Sequence, residues 1–183
     1  MNKIEIRRPK KEDSQELNDF FKNVIIDTFA REGITNMDDD INSEIETKAI
    51  YLNRDLESNG ENRYFLIALI EDKIIGSIEY GESSELIDNC TEGALKEIVE
   101  LGTVFVHPDY QRQGVGNLLL NEMYNAFKEK GIKEFCLDSG YSNAQKIWIS
   151  KFGEPNYLFK NFWSKGNDHM IWKISTSNIL NGN

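Results

Sequence analysis

The chain has 183 residues, in which 21 Lys and Arg stand against 31 Asp and Glu, a formal net charge of −10 at pH 7. That sign excludes a protein whose affinity for nucleic acid comes from neutralising phosphates. With 39% hydrophobic and 11% aromatic residues the chain can bury a sizeable core, which excludes global disorder. No run approaches the roughly 18 apolar residues of a membrane span, and the start, MNKIEIRRPKKEDS, lacks the apolar stretch of a signal peptide. Cys90 and Cys136 are too few for a disulfide framework. The expectation is a single cytoplasmic domain over residues 1–175 with a polar, frayed tail at 176–183. Neither nucleic acid nor a membrane is an expected partner.

Ile4 and Ile6 alternate with Glu5 and Arg7, as in a short half-buried strand that Pro9 ends. Asp13 followed by Glu16 resembles a capping box, and Leu17, Phe21, Val24, Ile25 and Phe29 then recur at helical spacing. A second helix carries Ile41, Ile45, Ala49, Leu52 and Leu56 on one face, with Asp38, Asp39 and Asp40 at the positive end of its dipole.

The middle reads as sheet. Residues 64–70 and 74–80 are apolar runs around Glu71-Asp72-Lys73, a hairpin pattern. Residues 81–96 form a polar connection with room for one helical turn, and a strand follows over 98–106. Val115, Leu119, Met123 and Phe127 then fall at i+4 spacing with Leu118 and Ala126 beside them, an amphipathic helix stopped by Gly131. A short strand over 134–138, a helix over 143–152 and closing strands over 157–162 and 170–174 complete the chain. No repeat or linker interrupts it. The order β-α-α-β-β-β-α-β-α-β-β fits an α+β, mixed-sheet fold better than a doubly wound nucleotide fold.

The most informative segment is residues 101–120, LGTVFVHPDYQRQGVGNLLL. A strand runs through a Pro-containing turn and a glycine pair directly into a helix. The first turn of a helix presents N–H groups without intrahelical acceptors and a partial positive charge. Glycines there let the backbone approach an anion closely, and Arg112 adds a charge-assisted contact. A glycine pair at a helix start is also common for purely structural reasons. A Walker A loop is excluded because no Lys follows Gly116, and a dinucleotide fingerprint because Asn117-Leu118-Leu119 offers no third glycine.

Val104-Phe105-Val106-His107-Pro108 followed by Gln111-Arg112-Gln113-Gly114-Val115-Gly116 resembles the acyl-CoA loop of the GCN5-related N-acetyltransferase (GNAT) superfamily, a strand ending apolar-x-V-x-P and then [QR]-x-x-G-x-[GA]. The element order is also similar to that family's. The resemblance implies an acyl-CoA N-acyltransferase fold, with a mixed, mostly antiparallel sheet of six to seven strands flanked by about four helices. It implies acetyl-CoA as co-substrate and no metal. The amides of residues 111–116 would cradle the pyrophosphate and Asn117 would meet a phosphate oxygen. The backbone of Val104, Phe105 and Val106, beside a bulge, would pair with the pantetheine arm and polarise the thioester carbonyl. Asn143, at the Asn of the family's last-helix pattern, joins the cofactor-binding set.

The implied reaction is direct attack of a primary amine on the thioester, in a ternary complex and without a covalent enzyme intermediate. It needs a base for the ammonium and an acid for the departing thiolate, each typically worth about 10²–10⁴-fold. Glu100 is the best-placed base and Glu97 the second; a solvated carboxylate at a strand start is the plain alternative. The family's acid is a Tyr in N-x-x-A-x-x-[LF]-Y-x-x-x-G-F. Here SNAQKIWISKFG puts Trp148 or Ser150 at that place, depending on whether Ala144 or Asn143 sets the alignment. An indole N–H donates a hydrogen bond but is no general acid. The thiolate is then protonated by water or by another tyrosine such as Tyr141 or Tyr157. Alternatively Trp148 is simply core, on an apolar face with Ile147 and Phe152, or the protein binds coenzyme A without efficient catalysis.

The remaining candidates are weaker. His107 and His169, with the cysteines, are too scattered for metal-ligand spacing, and neither Cys has a neighbouring His to activate it. Asp38, Asp39, Asp40, Glu44 and Glu46 form either a solvated helix start or a rim that attracts a cationic amine. Phe159, Phe162 and Trp163 line an acceptor pocket or pack in the core. The expected function is an N-acetyltransferase acting on a small-molecule or peptide amine, with a homodimer among the expected assemblies. Its rival is a coenzyme A-binding sensor with weak or lost catalysis.

Overall fold

The computed structural model describes residues 3–34 and 37–180, the side chains of Asn178 and Leu180 excepted. The strands are β1 (Glu5–Arg7), β2 (Arg63–Ile70), β3 (Lys73–Gly81), β4 (Val99–Val106), β5 (Glu134–Ser139), β6 (Tyr157–Ser164) and β7 (Asn167–Ser175). The helices are α1 (Ser14–Arg31), α2 (Asp38–Ser58), α3 (Glu85–Cys90), α4 (Val115–Lys130), α5 (Ser142–Phe152) and α6 (Thr176–Leu180), with 3-10 turns at Lys11–Asp13 and Pro108–Tyr110. This is the α+β architecture expected, a seven-stranded mixed sheet with four long helices. The chain divides into two compact units, Met1–Tyr80 with Thr103–Ala126, and Gly81–Gly102 with Phe127–Asn183. Strand β4 contributes its second half to the first and its first half to the second.

In the first unit the strands run in the order β1-β2-β3-β4, with β1 antiparallel to β2 and Ile6 opposite Ala68. A two-residue turn, Glu71-Asp72, joins β2 to β3 with both φ angles positive (49° and 65°), the sense that matches strand twist in a tight hairpin. Helix α1 buries Leu17, Phe20, Phe21, Val24 and Ile25, and the Phe21 ring meets Phe65 of β2 at 6.1 Å. Helix α2 packs on α1 and β2. Of its expected apolar face only Leu52 is fully buried; Ile41, Ile45, Ala49 and Leu56 are half-buried. On α4, Val115, Leu119 and Met123 are buried as their spacing predicts, whereas Leu118 is exposed.

The expected capping box at α1 does not form. The Asp13 side chain makes no cap bond. It accepts from Arg7 at 2.7 and 2.9 Å and from the Lys10 N–H at 2.6 Å, while Glu16 accepts from the Ile74 N–H at 2.8 Å. Both carboxylates have better tertiary partners than the helix end, since Arg offers a two-pronged charged donor.

In the second unit the order is β4-β5-β7-β6. The β4–β5 pairing is parallel and its register holds Val99 opposite Phe135 and Glu100 opposite Cys136. β5 and β7 are antiparallel along all six residues of β5, and β6–β7 carries an irregularity between Phe159 and Ser164. Ile87, Leu95, Cys136 and Ile171 form a core with Ile98, Tyr157 and Phe159 against it. Gly131 ends α4 as expected, Ile132 N–H reaching back to Phe127 O at 2.9 Å. The tail differs from expectation over residues 176–180: α6 is anchored where Thr176 Oγ donates to Ile132 O and Lys133 O, both at 3.0 Å. Residues 181–183 lie outside the described residues.

The Arg7–Asp13 pair gives a pH-dependent term. The Arg7 hydrogen bond holds the Asp13 carboxyl below its ordinary 3.8. Its contribution is therefore present above about pH 4 and is lost as pH falls through the lowered value. Asp13→Asn should cost about 1 kcal/mol at pH 7, and denaturant titrations should find the difference from wild type shrinking below about pH 4.

Candidate acyl-CoA site

Helix α4 starts where it does because of a glycine on β3. A Cβ on Gly76 would lie 2.9 Å from Leu119 Cδ1, 3.1 Å from Val115 Cγ1 and 3.2 Å from the Phe105 carbonyl oxygen. The absent side chain lets the first turns of α4 lie directly on the strand. The turn between β4 and α4 is held at both ends. His107 N–H donates to Ile75 O at 2.9 Å, and Gln111 Nε2 donates to Val106 O at 3.2 Å. Arg31 of α1 donates to Gln111 Oε1 at 3.0 Å while also pairing with Asp27 at 2.7 Å. Gln113 Nε2 returns to Asp109 O at 2.8 Å.

Within this frame Arg112 (φ 60°) and Gly114 (φ 87°) are left-handed with Gln113 between them in ordinary backbone. Alternation of this kind turns successive N–H groups toward one side and makes an anion-binding concavity. Leu118 N–H bonds Gly114 O at 3.1 Å, the first bond of α4, so the amides of Val115 and Gly116 lie in the helix's first turn, at its positive end. A Cβ at Gly114 would meet nothing within 4 Å, and at Gly116 only Val106 Cγ2 at 3.8 Å. No packing inside the protein demands glycine at 116. The room over the turn suits a phosphate, whose close approach a side chain would block.

The first unit thus brings together Val104, Phe105, Val106, Gln111, Arg112, Gln113, Gly114, Val115, Gly116 and Asn117 along one strand–turn–helix. The Phe105 ring packs edge-on against Phe21 at 6.2 Å, with Lys48 Nζ 5.9 Å from its centroid. His107 accepts from the Asp109 N–H at 3.3 Å and lies edge-on to Tyr110. Asp38, Asp39 and Asp40, with Met37, line an open concavity at the first turn of α2, where the helix dipole stabilises carboxylates.

Glu100, Tyr141 and Asn143 belong to the second unit. Glu100 is half-buried and its Oε2 accepts from the Ser84 N–H at 2.6 Å, at the start of α3. Glu97 is exposed and precedes β4. Tyr141 is half-buried at the N-terminal end of α5, and Asn143 is exposed on its first turn. Trp148 is 7% exposed and stacked on Phe152 at 5.8 Å. It is core, as the plain reading had it, but Ile147 does not share that face and is 53% exposed. Ser150 is exposed. Phe162 and Trp163 are largely exposed, with Phe162 5.2 Å and Trp163 5.6 Å from the buried His169 ring.

The thiols are chemically quiet. Burial, then Glu100, Asp138 and Asp88, pushes Cys136 up to about 12; burial and Asp138 raise Cys90. Among the described residues no group of three or more His, Cys, Asp or Glu is placed to hold a metal, and no helix is long and apolar enough to cross a membrane.

Residue reading alone missed Gly76, the left-handed Thr103 inside β4 (φ 48°) and the Arg63–Glu79 pair at 2.6 Å, whose side chains are 2% and 1% exposed. A signal for the pair exists: one acid in the apolar run of β3 and one base at the start of the apolar run of β2.

The strand, the left-handed turn and the start of α4 together present backbone amides on one side, the arrangement of a candidate anion site. The acetyltransferase (GNAT) family model matches residues 31–152, and the chain belongs to that family. It is 29% identical over 111 residues to a [ribosomal protein bS18]-alanine N-acetyltransferase of Haemophilus influenzae, covering 60% of this chain and 68% of that protein. The PaiA N-acetyltransferase of Thermoplasma acidophilum, solved in complex with coenzyme A, is 26% identical with a TM-score of 0.65, covering 94% of this chain and 99% of that one. The ribosomal-protein-S18-alanine N-acetyltransferase of Escherichia coli shares the fold at 16% identity, with a TM-score of 0.64 over 95% and 94% of the two chains.

With Cys136 near 12, about one part in 10⁴ is thiolate at pH 8. Iodoacetamide at that pH should leave Cys136 unmodified in the folded protein and alkylate it on unfolding, as read by mass spectrometry.

Proposed function

We propose that this acetyltransferase moves the acetyl group of acetyl-CoA to a primary amine by direct attack. The observation that carries the reading is the left-handed Arg112 and Gly114 turn running into the N-terminus of α4. The amides of residues 111–116 bind the pyrophosphate, Arg112 adds its positive charge, and Asn117 meets a phosphate oxygen. The backbone of residues 104–106 pairs with the pantetheine arm, and an N–H there stabilises the developing oxyanion. The amine nitrogen bonds to the carbonyl carbon, the C–S bond breaks, and coenzyme A leaves as thiolate.

Glu100 is the proposed base for the ammonium proton. Its Oε2 accepts from the Ser84 amide at 2.6 Å, which fixes where the carboxylate sits. Tyr141 or water returns a proton to the thiolate. Asn143 is proposed to contact the cofactor. The quiet cysteines favour direct transfer over a thioester enzyme intermediate. The acceptor class is an amine on a small molecule or peptide; the relatives named for ribosomal-protein alanine support a peptide N-terminus. The net charge of −10 favours a cationic acceptor.

One observation favours a second reading, a coenzyme A-binding sensor: of the two residues that fall at the place of the family's acid, Trp148 is buried and stacked and Ser150 is an exposed hydroxyl, and neither is a phenolic acid.

The test is free-thiol release from acetyl-CoA across polyamines, lysine peptides and peptides with N-terminal alanine. The expected result is turnover with one amine class and its loss in Gly114→Glu, which puts a carboxylate where the phosphates bind. Tight acetyl-CoA binding without turnover of any amine supports the sensor instead. Glu100→Gln should lower kcat by about 10²-fold, with the KM for acetyl-CoA little changed.

A further inference from the structure

The interior of β4 contains a conformation that needs a cause. Thr103 is a β-branched residue at φ 48°, 4% exposed, with residues of the same strand on either side. Left-handed backbone is disfavoured for a β-branched side chain, and such strain persists only where the surroundings over-determine it. Here two hydrogen bonds from β3 do so. Thr103 Oγ donates to Glu79 Oε1 at 3.0 Å, and Ser77 Oγ donates to the Thr103 carbonyl oxygen at 3.0 Å. Ser77 and Glu79 are two residues apart and so share a face of the strand.

Glu79 is itself fixed. Its other oxygen accepts from Arg63 Nη1 at 2.6 Å. The Arg63 guanidinium carbon lies 3.5 Å from the ring centroid of Tyr51 on α2. The chain Tyr51–Arg63–Glu79–Thr103 therefore runs from a helix through two strands to the hydroxyl of a residue on a third. Stability does not account for it, because a buried ion pair is generally no better for folding than a well-packed apolar pair of the same volume. A buried pair does give direction: a carboxylate gripped on one oxygen presents the other at a set angle.

We propose that the Arg63–Glu79 pair is a positioning device for the acyl-CoA strand. Through Thr103 it sets the left-handed step in β4, and that step aims the amides of residues 104–106 at the acyl-thioester arm. Glu79 and Arg63 touch neither ligand nor reacting atoms; they act through Thr103. The inference rests on the reading of β4 as the pantetheine-binding strand.

The experiment compares Thr103→Val, which keeps the branched shape and removes the hydroxyl, with Thr103→Ser, which keeps the hydroxyl. Each folded variant is read for amide hydrogen exchange at residues 104–106 without ligand and for steady-state kinetics. Thr103→Val should exchange faster at those amides and raise the KM for acetyl-CoA about tenfold or more, with the KM for the amine within about twofold, since that part of the site is untouched. Thr103→Ser should restore both readouts toward wild type. Wild-type exchange and wild-type KM in folded Thr103→Val would overturn the proposal. If Thr103→Val does not fold, Thr103→Ala removes the same hydroxyl without adding atoms and is judged the same way against Thr103→Ser. If the wild type itself neither binds nor turns over acetyl-CoA, the functional reading fails, and the exchange measurement alone still decides the clamp.

Discussion

A missing side chain at Gly76 sets the geometry on which the functional turn depends. Because β3 carries no Cβ there, Val115 and Leu119 settle directly on the strand, and α4 begins at a fixed height above it. The N–H groups of its first turn carry the partial positive charge of the helix. Their position therefore follows from close packing two residues away in space rather than from the turn's own sequence. Arg112 and Gly114 then need only left-handed backbone to bring further amides into line. In a dense interior such a contact transmits small volume changes, so the turn before α4 and the hydrophobic core of this unit are one mechanical object.

The polar groups around that object are held to single roles. Arg31 bridges Asp27 and Gln111 and ties the turn to α1. Glu16, which local sequence assigns to a helix cap, instead accepts the amide that opens β3. Glu79 is committed to Arg63 through one oxygen and to Thr103 through the other. In the second unit, burial and nearby carboxylates keep Cys136 a thiol. Glu100 accepts from the N–H of Ser84, the residue that caps α3. None of these groups is arranged as a nucleophile, which accords with the direct transfer proposed above.

Much of this was legible in the residues. Period-two alternation located β1, i+4 spacing located α4 and four of its buried positions, and the run from Val104 to Gly116 named the family and pointed to the turn. What escaped was set by tertiary contacts. Asp13 and Glu16 fit a local capping pattern but are claimed by Arg7 and Ile74. Leu118 and Ile147 are apolar yet 42% and 53% exposed, on helix faces turned away from the core. Thr103 gives no sign of left-handed backbone, since threonine is a poor choice for it; only Ser77 and Glu79 on the facing strand explain it. The anchoring of Thr176 on Ile132 and Lys133 joins residues more than forty positions apart, beyond the reach of any local pattern.

The most direct measurement is the shift in thermal stability on adding acetyl-CoA. An intact anion-binding turn predicts a ligand that binds only the folded chain, adding about 2.7 kcal/mol at a hundred times Kd, with the shift abolished by Gly114→Glu. An unchanged Tm at millimolar acetyl-CoA in well-folded wild-type protein would contradict the account.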